Sequence, residues 1–190
     1  MPRSGLDAES VVTAAAALAD AEGVEAVTLT RLANELGVRA PSLYAHVSSL
    51  SDLNRRLAAR GARELAVALR AAATGLAGRD ALAVVANAYR AYAHQHPGTY
   101  RAMQRAPGPD NPQGAAAAAE LVDVILAILR GYGLEREEAI HAARIIRAAL
   151  HGFVSLEAEQ GFRIPVEVDD TFARLVALLD RGLAMTARPS

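Results

Sequence analysis

The chain predicts an all-α fold of about nine helices, and three observations carry that prediction. Hydrophobic residues fill 52% of its 190 positions, and many are Ala, the strongest helix former. Apolar residues recur three and four apart in successive segments, the spacing of one helix face. No β-branched run alternates with polar residues over the length of a strand.

The elements follow in order. A first helix runs from about Leu6 to Ala21, with Val11, Ala14, Ala15 and Leu18 inward, and Gly23 closes it. Thr28 caps a second helix through its hydroxyl. Leu29, Leu32, Ala33 and Leu36 give that helix a buried face. Gly37 ends it at a residue that tolerates positive φ, and Val38 anchors the turn. Pro41 opens a third helix, where its missing N–H costs nothing. Leu43 and Val47, four apart, bury one side of it. Arg39, Ser42, Tyr44 and His46 are left on other faces, with Ala40 and Pro41 at its tip. A short helix offering donors from its N-terminal end suits reading of the major groove. Residues 1–50 therefore read as an N-terminal three-helix helix-turn-helix domain.

Ser49 or Ser51 caps a long helix to about Thr74, with Leu53, Leu57, Leu65 and Leu69 inward; residues 51–74 are the helix that joins the two domains. Gly75 and Gly78 end it. A helix from Arg79 stops before Pro97, and a shorter one covers Pro97 to Gln104. The segment from Ala106 to Gly114 is a loop by composition. Asn111 caps, and Pro112 opens, a helix to Arg130. A helix from about Glu135 to Gln160 follows. Asp169 or Asp170 then caps the last, which reaches Met185. Residues 75–190 make a C-terminal helical bundle. Its last two helices carry more apolar face than a terminal hairpin buries alone.

Net charge is −1, which by itself does not favour a nucleic-acid partner. Its distribution does. Residues 1–27 hold one Arg against five acids, residues 28–60 hold five Arg against two acids, and the remainder balances. The positive segment coincides with the helix-turn-helix, and a local patch suffices because salt screens charges beyond about 8 Å. All twenty basic residues are Arg. Without Cys, disulfides and thiolate chemistry are excluded. The chain start lacks an apolar signal-peptide core, which makes the cytoplasm the expected compartment. Apolar stretches such as Leu121 to Leu129 are interrupted and short, so no membrane partner is expected.

The run from Thr28 to Val47 resembles the DNA-binding domain of the TetR family of bacterial repressors, over roughly residues 6 to 60. The resemblance rests on the spacing of Gly23, Thr28, Gly37, Val38, Leu43, Tyr44 and His46. It implies operator contacts by Thr28, Thr30, Arg31, Arg39, Ala40, Pro41, Ser42, Tyr44 and His46. Family members commonly carry a phosphate-contacting Lys six positions after the Tyr. Here Leu50 stands there, and Arg55 or the hydroxyls of Ser48, Ser49 or Ser51 are the candidates to replace it. Residues Tyr89 to Met103 and Leu150 to Glu157 are similar to a WHG-type ligand-binding domain, with Arg147 where an aromatic often stands. That likeness implies a small-molecule effector held by Tyr89, Tyr92, Tyr100, Met103, Phe153 and Leu156. It also implies a homodimer through the last two helices, with His151, Phe172, Leu175, Val176, Leu179 and Leu183 at the interface. The expected partner is double-stranded operator DNA, palindromic or pseudo-palindromic, and the expected action is repression relieved by the effector.

Plainer readings compete at several positions. Arg31 is either a phosphate contact or a solvated charge, and the aromatic set is either pocket lining or core. His94 and His96 diverge by about 200° on a helix, which disfavours a metal chelate. His141 and His151 fare no better, so no metal or other cofactor is expected. Glu137-Glu138 and Asp169-Asp170 sit at helix starts, where acids favour the macrodipole. With no Gly-x-Ser-x-Gly, phosphate-binding loop or His-Glu-x-x-His, nothing points to catalytic residues.

Overall fold

A computed structural model describes residues 6–105, 107–108 and 110–186. Met1–Gly5, and Ala106 and Pro109 of the expected loop, lie outside these. Among the described residues there are nine α-helices and no strand: α1 Ala8–Glu22, α2 Leu29–Glu35, α3 Ala40–Leu43, α4 Leu50–Ala72, α5 Gly78–Gln95, α6 Pro97–Ala102, α7 Pro112–Arg130, α8 Arg136–Ala158 and α9 Val168–Thr186. They divide into two compact units, residues 1–64 with 95–118, and residues 65–94 with 119–190.

In the first unit α1 starts in a capping box: Asp7 accepts from the Ser10 N–H, and the Ser10 hydroxyl accepts from the Asp7 N–H. Val11, Ala15 and Leu18 then face Leu32, Ala33, Leu43, Val47, Leu53 and Leu57 in one buried cluster. Gly98 of α6 lies so close to α1 that a Cβ there would fall 1.9 Å from the Ala19 carbonyl oxygen. Next to it, the Asp20 carboxylate accepts from the Thr99 N–H at 2.7 Å and meets His96 Nδ1 at 3.0 Å. A side chain of α1 thus supplies the N-terminal cap that α6 lacks in its own sequence.

The second unit buries Leu65, Leu69, Leu82, Val85, Tyr89, Tyr92, Ile146, Leu150, Phe153 and Phe172. Arg90 of α5 stacks over Phe172 and Phe153 while donating to Glu157 of α8 and Asp169 of α9. In the second half of α9, Asp180 accepts from the Tyr132 hydroxyl at 2.8 Å and pairs with Arg79 at 2.7 Å.

Two expectations need correction. Asp169 and Asp170 do not cap α9 but lie inside its first turn, because the helix already begins at Val168. Acids are favoured there by the exposed amides, and Asp169 also meets Arg90. And α7, with its Ala-rich start, is 19 residues long and apolar enough to cross a membrane by length and composition. Asp123 near its middle would cost about 3 kcal/mol in a bilayer centre. Its Ala117, Val124, Ile128 and Leu129 are buried in the protein.

Candidate nucleic-acid interface

The presentation of residues 39–46 follows from how the two flanking turns are made. Thr28 Oγ1 accepts from the Arg31 N–H at 3.2 Å and starts α2. Gly37, at φ +66°, reverses the chain, and the Val38 N–H returns to the Ala33 carbonyl at 2.9 Å. Pro41 sits at the start of α3, whose α-helical run is only four residues. The chain continues as a turn, and the Val47 N–H reaches the Leu43 carbonyl at 2.9 Å. Leu43 and Val47 are buried beneath this element, while Arg39, Pro41, Ser42 and Tyr44 are exposed and Ala40 and His46 half-buried. Tyr44, at 57% exposure, is a large aromatic turned outward with no core to hold it.

The other predicted contacts are more committed. Arg31 donates to Glu22 of α1, and Thr28 is engaged as a cap; Thr30 is exposed beside them. Arg55, exposed on the first turns of α4, donates to Ser51 Oγ at 3.1 Å and lies 3.6 Å from Asp52. Asp52 accepts from the Ser48 N–H and from Arg56, while Ser49 Oγ accepts from the Asp52 N–H. Burial pushes the Asp52 carboxyl up, but the Arg56 guanidinium and the Ser48 N–H outweigh it, and its pKa falls below the ordinary value. This arrangement holds the turn between α3 and α4. Asp7 titrates low as well, because the Ser10 N–H and hydroxyl stabilise its charge, with nearby His46 adding to the effect.

The remaining predicted residues divide. Tyr89, Tyr92 and Phe153 are buried in the second unit, whereas Tyr100 is buried and Met103 half-buried in the first. Leu156 is exposed at 48%, because Glu157, held by Arg90 and His94, takes the inner place at that turn of α8. Phe172 and Leu183 are buried within the protomer, Phe172 against the Phe153 ring. Leu175, Val176, Leu179 and His151 are half-buried. The outward apolar places fall instead to Ile145 and Leu156 of α8 and to Leu178 and Met185 of α9.

Residues 82–179 match the family described as Tetracyclin repressor-like, C-terminal domain. Over 179 residues, 94% of this chain and 82% of the relative, the sequence is 41% identical to an uncharacterized HTH-type transcriptional regulator of Mycobacterium tuberculosis (strain ATCC 25618 / H37Rv). It is 36% identical over 182 residues to a second such regulator, YobS of Bacillus subtilis (strain 168), covering 96% of this chain and 95% of that one. The chain belongs to the TetR family. A solved structure from Rhodococcus sp. RHA1, described as of unknown function, superposes at TM-score 0.81 with 24% identity, over 97% of this chain and 99% of the other. BioQ with its natural double-stranded DNA operator gives 0.69 at 24%, over 95% and 99%. ActR of Streptomyces coelicolor in complex with (S)-DNPA gives 0.68 at 20%, over 97% and 100%. At these identities the likeness is one of fold.

This TetR-family protein is a DNA-binding transcription regulator and not an enzyme. Sequence reasoning passed over several residues that shape it. Asp52 was legible, three residues after the capping candidate Ser49, as the acid of a Ser-x-x-Asp start signal before an apolar run. The bond from Asp20 to Thr99 joins residues 79 apart, and no local pattern announces it. Arg90 and Asp180 likewise gain their roles only from partners far along the chain.

Proposed function

We propose that this regulator binds a palindromic or pseudo-palindromic operator as a homodimer and acts as a repressor that a small-molecule effector releases. The observation that carries the proposal is the exposed tip at residues 39–44 over buried Leu43 and Val47. It has the size of a major-groove reader and offers a guanidinium, a hydroxyl and a phenol. Arg39 reads a base, Tyr44 and His46 hold phosphates, Ala40 and Pro41 touch a thymine methyl, and Arg55 replaces the Lys that Leu50 displaces. Residues 1–50 carry recognition, 51–74 transmit, and 75–190 hold the effector and the second subunit.

One element this short reads only a few base pairs, so a two-fold pair supplies the specificity. The outward apolar residues Ile145, Leu156, Leu178 and Met185 support that pairing through α8 and α9. A dimer covering a promoter blocks polymerase, in the cytoplasm where the DNA is. The effector is largely uncharged or aromatic and is met by Tyr89, Tyr92 and Phe153. Because these are buried, its entry requires the helices of the second unit to part, which favours a state with altered DNA affinity. The ligand held by ActR and the operator held by BioQ agree with both halves of this reading.

Selecting duplexes from random sequence is the test. Two similar half-sites related by a two-fold axis are expected. Arg39→Ala should relax one position in each half-site, by about 1–3 kcal/mol. An unchanged selection with that variant would put the wrong element in the groove.

A further inference from the structure

A groove of about 470 Å³ lies within the first unit, away from the aromatic residues assigned to the effector. Ser51, Arg55, Ala58 and Ala62 line it along one face of α4, each three or four residues from the next, with Leu50 beside them, and Met103 and Arg105 line it from beyond α6. Its existence follows from side-chain size. Ala59 and Ala62 of α4 meet Ala117 of α7 in a small buried cluster, and Gly61 brings α4 against Thr99 and Met103. Side chains that short hold the helices together without filling the space beside the contact.

The lining is mixed, apolar along the floor, charged at two arginines, and neutral polar at Ser51, Asn54 and Asn111. The floor is alanine and methionine, and Leu50, an exposed apolar residue, extends it. The charged lining groups are guanidiniums. Arg55 is 47% exposed, with Asp52 at 3.6 Å as its acidic neighbour, but that carboxylate is already taken by Arg56 and the Ser48 N–H. Arg105, which lines the groove from beyond α6, is exposed as well. An open groove of this volume, apolar along its floor and with a few placed polar groups, gives a small molecule a surface to lie on. Guanidinium suits a carboxylate, which it meets with two parallel N–H donors.

We infer that this groove binds a small organic carboxylate, its apolar body along Ala58, Ala62 and Met103 and its carboxylate on Arg55 and Arg105. Arg55 is also a phosphate contact in the reading proposed above. On that reading the ligand and the operator backbone compete for one guanidinium, and the groove sets DNA affinity directly.

Octanoate and 1-octanol, titrated calorimetrically into the full chain without DNA, test the site apart from operator recognition. Octanoate should bind more tightly than the alcohol. Arg105→Gln should weaken octanoate about fivefold or more while leaving the alcohol unchanged, as loss of a partly exposed ion pair does. Ala58→Leu, which fills the floor, should weaken both, in protein whose melting temperature is unchanged. Equal affinity for the two probes, or octanoate binding indifferent to Arg105→Gln, overturns the site. Weaker DNA binding by Arg105→Gln in place of any octanoate effect would make the groove's charge a backbone contact and overturn it too. Competition is read separately: octanoate should lose affinity when the selected operator is present, and no loss overturns the shared use of Arg55. The operator affinity of Arg55→Gln, measured without octanoate, tests the phosphate contact itself.

Discussion

At the residue scale, Gly98 sets how closely α6 lies on α1. A methyl there would meet the Ala19 carbonyl at 1.9 Å, a backbone atom that no rotamer change moves away. Gly98→Ala should therefore part α1 from α6 and strip Thr99 of its bond to Asp20. The expected loss is about 3 kcal/mol, at the upper end for overpacking, and a thermal melt measures it. A melting temperature within a degree of the parent would mean that α6 shifts freely on α1. Asp20→Asn is the milder companion, since an amide oxygen still accepts from Thr99.

Individual helices are placed by their ends. The α9 helix is fixed at its start by Asp169 on Arg90 and in its second half by Asp180 on Tyr132 and Arg79. Desolvation, then the bond to Asp180, raises the Tyr132 hydroxyl well above its ordinary pKa, so it stays a donor across the physiological range. Asp180→Ala leaves that hydroxyl half-buried and unpaired, which should cost about 2 kcal/mol. Tyr132→Phe removes the donor with its bond but leaves Arg79 to Asp180, and about 1 kcal/mol is expected. Chemical denaturation of both variants distinguishes the two, and equal small losses would show that the contact is incidental.

To the whole molecule belong the proposed second subunit and the response to pH. Leu178 projects outward from α9 at 59% exposure, and replacing it with Glu leaves the protomer core untouched. Leu178→Glu should yield folded monomers on light scattering, with loss of operator binding. A dimer that survives this change would place the interface elsewhere. His151 offers a second reading of the same region. Burial, with nearby Arg147 adding, holds its pKa below the usual 6.5. The folded chain therefore keeps it neutral where the unfolded chain would protonate it. Its contribution is fully present above about pH 6.5 and declines as pH falls from there toward the lowered value. Melting temperatures at pH 7.5 and 5.5 should converge when His151 is changed to Gln, and an unaltered difference would clear His151 of the effect.

Helix periodicity and caps were legible because they depend on neighbours within one turn. Thr28, Gly37 and Asn111 act on backbone groups three to five residues away, and Pro41 acts through its own fixed φ, so their roles could be read without any fold. The buried leucines of α4 were legible for the same reason, as one face of a 3.6-residue repeat. The exposed tip at 39–44 followed from the buried pair Leu43 and Val47. Helix faces on α8 and α9 were not so readable. Both helices carry apolar residues over more than one face, and periodicity alone cannot say which face turns inward. Arg90 and Asp180 settle that by drawing Glu157, Asp169 and Tyr132 to one side, which buries Phe172 and Leu183 and leaves Leu156 and Leu178 outside. The groove beside α4 was invisible for a related reason: it is the space that short side chains leave, and only packed helices define it. The sequence alone determined what each segment forms, because that is local chemistry. Tertiary structure decided which surface each helix shows, because burying charges with their partners is a contest between distant residues.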